Sequence, residues 1–321
     1  TLFQHYHYQP VLKIITETGK EVICTFNQPF LTKKGWRRAD EITLGTKIRV
    51  MPKIPNMRKS IVPTEFKMVK KTYGKLKDVA IPEKFTPELA SLCGYIIGDG
   101  NIHPNRSRVT CHINEEEKDI LGNLSVFCKE TFNIVPSIFI RTSNKVKTID
   151  DGKGLLRQFI SKQNTYILEI NSRQVAHSLS FLSIKRVPQQ IFRSPINVVS
   201  RFISWLFEAD GCTFGKGGGR TAIQLKSKTS GLLKDVQLLL LYFGIHSRIV
   251  EDNLCIRRFH DMEKFAKYIG FNSEKKKKAL LNTLDVIKNK SEMNKRKEFQ
   301  RWEKIIDIAP QGVMDVYDFE V

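Results

Sequence analysis

Two aspartates stand beside a glycine at the end of similar short apolar runs. The first run is Leu92-Cys93-Gly94-Tyr95-Ile96-Ile97-Gly98-Asp99-Gly100 and the second Ile203-Ser204-Trp205-Leu206-Phe207-Glu208-Ala209-Asp210-Gly211. Two carboxylates brought together could anchor Mg2+, which binds few protein carboxylates and keeps several waters. A metal there would polarise a phosphoryl oxygen, activate water and stabilise the leaving oxygen, the needs of phosphodiester hydrolysis. A single Asp-Gly would be no more than a helix end. Two in matched stretches point to a shared site.

Both runs repeat apolar residues at helical spacing, and Gly100 and Gly211 predict stops in which a left-handed residue is cheap. Cys93, Gly94 and Gly98 line one side of the first helix, and Ser204 and Ala209 partly line the second, so the two could approach closely. Packed together, they would present Asp99 and Asp210 side by side. Thr86-Pro87-Glu88 predicts the start of the first helix, with a Thr cap and Pro at the first position. After it come strand-and-turn sequence over 101–114, a helix over 115–132, strands over 137–142 and 166–170 around a polar stretch, and a helix over 172–181. The order then recurs: a helix from about 197 to Gly211, strand sequence around the glycine-rich turn 215–219, an amphipathic helix over 231–243, strands over 247–251 and 254–257, and a helix over 261–268. The pattern is an internal repeat. The glycine-rich turn has no Gly-Lys-Ser/Thr leading into a helix, so it reads as a basic hairpin tip rather than a phosphate loop.

The expected organisation has six parts: a β-rich region 1–52, a proline- and lysine-rich basic connector 53–84, repeat one at 85–196, repeat two at 197–272, a basic helical segment 273–304, and a strand 305–321 that returns to the first sheet. His5 and His7 would share one face of a strand; with no third ligand beside them they read as ordinary strand histidines.

The chain of 321 residues carries 53 Lys and Arg against 33 Asp and Glu, a formal net charge of +20. Such an excess makes a polyanion the expected partner. The six cysteines show no paired CxxC spacing, which argues against a zinc site of that type and for reduced thiols. No apolar run is long enough to span a bilayer and no signal-peptide pattern opens the sequence, so a soluble intracellular protein with no membrane partner is expected.

Both motifs resemble those of the LAGLIDADG homing endonucleases over roughly residues 85–270. The resemblance implies an α+β fold in which two pseudo-symmetric αββαββα repeats pack their motif helices together and form a saddle of strands for the major groove of DNA. It implies Asp99 and Asp210 as catalytic, metal-binding residues, helped by the carbonyls of Gly98 and Ala209, with Mg2+ or another divalent cation as cofactor. It also implies a basic residue in each half. Lys226, which alternates with Leu225 and so faces away from the core, is the candidate in the second half, with Lys228 close by; His112 stands at a similar place in the first half, where that role stays open. The candidate DNA contacts are Arg106, Arg108, Arg141, Lys145, Lys147, Lys216, Arg220, Lys228, Arg248 and Arg257. Phosphate contacts would supply most of the affinity, and strand arginines the sequence reading. The family usually has glycine where the second motif has Trp205, so close packing there needs another solution or a shifted register.

The flanks resemble the splicing (Hint) domain of an intein through Thr25-Phe26-Asn27-Gln28-Pro29-Phe30-Leu31-Thr32, Gly35-Trp36-Arg37-Arg38, Leu44-Gly45-Thr46-Lys47-Ile48 and Asp315-Val316-Tyr317-Asp318-Phe319-Glu320-Val321. This implies a small all-β domain built from both chain ends. Gln28 stands where that family has histidine, Thr1 is not its nucleophile and no His-Asn closes the sequence, so splicing is not expected of this chain. The resulting expectation is a monomeric, metal-dependent endonuclease acting on double-stranded DNA at a long asymmetric site. The alternatives are an inactive nucleic-acid-binding or maturase-like relative, and a splicing-competent intein in a longer chain.

Overall fold

The computed structural model describes residues 2–56, 58–69, 79–103, 105, 107–142, 145–150, 156–161, 164–214, 221–291 and 301–320. It opens with β1 (Leu2–Thr16), β2 (Glu21–Thr25), β3 (Pro29–Thr32), β4 (Gly35–Arg38) and β5 (Lys47–Arg49). The first motif lies on α1 (Pro87–Asp99), followed by β6 (Gly100–His103), β7 (Arg108–Asn114), α2 (Ile120–Phe132) and β8 (Ser137–Arg141). Next come β9 (Lys145–Asp150), β10 (Leu156–Ser161), β11 (Thr165–Asn171), α3 (Arg173–Ser178) and α4 (Gln189–Phe192). The second motif lies on α5 (Ile196–Asp210), then β12 (Gly211–Phe214), β13 (Ala222–Lys226), α6 (Ser230–Leu240), β14 (Arg248–Val250), β15 (Asn253–Ile256) and α7 (Phe259–Tyr268). Last are α8 (Glu274–Ser291) and β16 (Trp302–Glu320).

Two four-stranded antiparallel sheets, β6-β7-β11-β8 and β12-β13-β15-β14, have their strands in the same relative order. Alternation sets their faces: Val109, Cys111 and Ile113 of β7, and Ile223 and Leu225 of β13, point into one large apolar core. That core includes most of the apolar residues of α1 and α5, which pack against each other at its centre. A smaller cluster of Leu12, Ile14, Cys24, Ala39, Ile42, Ile48 and Ile305 holds a six-stranded sheet, β2-β1-β16-β5-β3-β4. Both ends of the described chain meet there, because β16 pairs antiparallel along most of β1.

Several expectations change. The polar stretch between β8 and β11 holds a further hairpin, β9 with β10, where weak apolar alternation left no strand signal. Within the expected basic helical segment, α8 occupies Glu274–Ser291, and residues 302–304 belong to β16, pairing with β5. The described parts of the connector are packed down: Ile54 N–H donates to Leu241 O at 3.0 Å, Phe85 N–H to Val62 O at 2.8 Å and Ala80 N–H to Phe132 O at 3.0 Å, while Phe66 and Val79 rest on the large core. Thr86 does cap α1, its hydroxyl accepting from Leu89 N–H at 3.3 Å. Gly100 and Gly211 are not left-handed; they are extended, with φ near −97° and −99°. Their requirement is space. A Cβ on Gly100 would lie 2.5 Å from Ile96 Cα, and one on Gly211 would lie 2.4 Å from Phe207 O. The sharp turn from helix into strand brings the chain back over its own last turn. Among the described residues no helix is long and apolar enough to cross a membrane, and all six cysteines are free.

Candidate functional site

The helix pair that carries the aspartates is set by α1's glycines. A Cβ on Gly94 would lie 2.3 Å from Phe202 O, and one on Gly98 would lie 2.4 Å from Ala209 Cβ and 3.2 Å from Asp210 Oδ2. The two backbones are therefore as close as side-chain-free residues permit. Trp205 stays out of this crossing. It turns into the first half's core, fully buried, edge-on to Phe127 at 5.2 Å and Tyr95 at 6.0 Å between ring centroids. Glycine at that position of α5 is not needed, because α1 supplies the gap.

Asp99 and Asp210 are both half-buried at the facing helix ends. Burial pushes the Asp99 carboxyl up to about 6, with the negative charge of Asp210 acting the same way against the opposing pull of Lys276 and Lys185. Burial likewise raises Asp210, against Lys185 and Lys276. The pair is thus a concentration of hard oxygen donors whose negative charge is costly in place. The last capping bonds run from Gly100 N–H to Ile96 O and from Gly211 N–H to Phe207 O, so the carbonyls of Gly98 and Ala209 come after them at the helix ends. Carboxylates and carbonyls of this kind suit Mg2+ by size and hardness.

Lys185 and Lys276 were not anticipated in the sequence. Lys185 follows the 3-10 turn Ser180–Ile184 in a left-handed conformation, φ 47°. Lys276 belongs to a lysine run that reads as a solvated face. Its position is fixed by Glu208, a fully buried residue whose Oε2 accepts from the N–H groups of Asn272 at 2.5 Å and Ser273 at 3.2 Å. These bonds seat the start of α8 on the end of α5, and the Lys276 ammonium donates to Glu208 O. Lys276 also lies 3.6 Å from Glu117, so α8 ties to the first half too.

The candidate basic residues fall on the outer faces of the sheets. Gly100 pairs with Cys111, and Gly211 with Leu225, so His112 and Lys226 occupy matching places one residue beyond each motif glycine's partner. Both are exposed. The cations with the largest effect on Asp99 and Asp210 are instead Lys276 and Lys185. Arg141, Lys228, Arg248 and Arg257 are exposed. Arg108 is committed elsewhere: its guanidinium donates to Glu169 Oε2 on the neighbouring strand at 2.8 Å, which weakens it as a free phosphate contact. Lys145 and Lys147 lie on β9, their side chains undescribed, and Arg106, Lys216 and Arg220, with the glycine-rich turn, fall outside the described residues.

Several known proteins are similar to this chain. It is 30% identical over 231 residues to the glutamine–fructose-6-phosphate aminotransferase of Methanocaldococcus jannaschii, covering 66% of this chain and 18% of that protein. It is 26% identical to the replicative DNA helicase DnaB of Nostoc, over 95% of this chain and 33% of that protein. The chain thus spans a third or less of the length of these curated relatives. Among solved structures, the homing endonuclease I-WcaI bound to its DNA recognition sequence is similar at a TM-score of 0.41 and 14% identity, over 60% of this chain and 85% of that one. Full-length DUF199/WhiA from Thermatoga maritima is similar at 0.39 and 15%, over 65% and 66%. A family model described as the LAGLIDADG-like domain matches residues 197–270. The stretch built around α5 and Asp210 is therefore a LAGLIDADG-like domain, within a chain of mixed α and β fold.

Proposed function

We propose that this protein is a site-specific endonuclease for double-stranded DNA, with Asp99 and Asp210 holding a divalent cation between two pseudo-symmetric halves. The observation that carries the reading is the pair of half-buried aspartates at the facing ends of α1 and α5, in a chain of net charge +20. The cation, held by both carboxylates and the carbonyls of Gly98 and Ala209, would supply polarisation of the scissile phosphoryl oxygen and activation of water. The chain's own residues do the rest. The equal strand order of the two sheets supports a saddle for DNA, with Arg141, Lys228, Arg248 and Arg257 on phosphates or base edges. Lys226 stands over the second half as the basic residue nearest the motif in register, with His112 in its place in the first. Since the side chains at these matching places differ, the target would be asymmetric.

The six-stranded sheet built from both ends of the described chain supports a Hint-like reading, and so of the endonuclease part as an insertion within it. The relatives support it as well: an aminotransferase and a helicase have unrelated activities, yet this chain resembles a minor part of each. Gln28, in place of the family's histidine, leaves splicing outside the proposal.

A second reading, binding of nucleic acid without cleavage, is favoured by Lys276 and Lys185, which already bring positive charge to the aspartates. Cleavage selection on a randomised duplex library with Mg2+, followed by Asp99→Asn and Asp210→Asn on the selected site, separates the two. Cleavage lost in both variants with binding kept supports the nuclease. Retention of full cleavage by both variants, or selective binding without a cut, would sink it.

A further inference from the structure

The far end of the β1–β16 ribbon gathers a group of side chains unrelated to the aspartate pair. His5 Nε2 lies 3.3 Å from Asp315 Oδ2, and His7 Nδ1 lies 3.4 Å from the same oxygen. All three ligand atoms fall within 4.8 Å of one another. We propose that His5, His7 and Asp315 form a surface site for a zinc-class divalent cation that clamps β1 to β16.

The two histidine–carboxylate separations match the ion. With metal–ligand bonds of about 2.0–2.1 Å, the edge of a tetrahedron is about 3.3 Å, whereas adjacent ligands of an octahedron sit only about 2.9 Å apart. Imidazole nitrogen with one carboxylate is a donor set for Zn2+, Co2+ or Ni2+ and a poor one for Mg2+. Three protein ligands leave a fourth position for water.

The ligands are also held in place. Between the Tyr6–Val316 and Gln9–Met314 pairs, His7 and Tyr8 stand opposite Asp315 alone, so a bulge interrupts the ladder there. Tyr8 takes a left-handed conformation at φ 53° to accommodate it. A bulge re-aims the side chains beside it. Tyr8 N–H donates to Asp315 Oδ1 at 3.3 Å, which leaves Oδ2 for the histidines. His5 stacks on Tyr317 at 4.5 Å with 7° between ring planes, which fixes its imidazole. Such outer contacts orient metal ligands in general.

The clamp has a structural use. β2 pairs only with residues 11–15 of β1, and β5 only with residues 302–304 of β16. Among the described residues, the ends of β1 and β16 therefore form a two-stranded ribbon without a third strand. Such a ribbon alone is marginally stable in water. A cation joining residues far apart in the chain would close it.

The test uses the full chain, stripped with a chelator and titrated with Zn2+, and with Co2+ as a spectroscopic probe. One equivalent should bind with the intense visible absorption of tetrahedral Co2+, apart from any cation at the aspartate pair, and amide exchange over residues 2–10 and 313–320 should slow. His5→Gln, His7→Gln and Asp315→Asn should each weaken binding by at least about tenfold and remove the band. Asp99→Asn and Asp210→Asn should leave it intact, so that failure of the nuclease reading is distinguishable. Unchanged Co2+ binding in the histidine and Asp315 variants, an octahedral spectrum, or binding without slowed exchange would overturn the proposal.

Discussion

Around Asp99, α1 approaches its partner through Gly94 and Gly98; around Asp210, α5 approaches through backbone and Ala209 and sends Trp205 elsewhere. The crossing needs one stripped helix, not two. Freed from the crossing, α5 places its largest side chain between Tyr95 and Phe127, so the second motif helix completes the first half's core. The electrostatics are shared: burial raises both carboxyls, and Lys185 and Lys276 pull both down. Two motifs of one pattern thus divide the work: one gives proximity, the other gives packing.

The largest expected effect tests whether the aspartates act as a pair. Asp99→Asn and Asp210→Asn should each lower double-strand cleavage on the order of 10³-fold, the scale of removing one electrostatic stabiliser from a reaction centre. Gel assays of supercoiled substrate would show whether either variant still nicks one strand, which would make the halves independent. Trp205→Ala should cost about 3–5 kcal/mol of stability, the range for deleting a buried aromatic, measured by urea unfolding. A loss under about 1 kcal/mol, within what a mere volume-conserving core swap costs, would break the argument that α5 seals the first half. Gly94→Ala and Gly98→Ala should each cost about 1–3 kcal/mol by overpacking. Ala209→Gly should cost no more than about 1 kcal/mol, through helix propensity alone. Equal losses at Gly98 and Ala209 would remove the asymmetry.

The smallest effect is a pH dependence. Asp99 titrates near 6 when folded and near 3.8 in its ordinary state, so between those values the folded chain holds the proton more tightly. Its contribution to stability is present at low pH and is lost as pH rises through about 6. Without metal, Asp99→Asn should flatten the stability profile across that window, read from melting temperatures. Metal-dependent cleavage should conversely fall as pH drops below about 6, because the ligand becomes neutral.

Local chemistry made much of this legible. Thr86-Pro87-Glu88 announces a helix, and alternation places Leu225 inward and Lys226 outward. The β9–β10 hairpin escaped because its polar setting carries little alternation. Crowding rather than conformation requires Gly100 and Gly211, a distinction sequence does not carry, since it shows only that a glycine is present.

By itself the sequence determined the two motif helices, the strands that follow each, the basic charge and the return of the last strand to the first. These follow from periodicity, caps and composition, which act over a few residues. Only the tertiary structure decided that the charges of Lys185 and Lys276 act on the aspartates, that Trp205 enters the other half's core, and that Asp315 joins His5 and His7. Those meetings join residues far apart along the chain, and only packing of finished elements sets such distances.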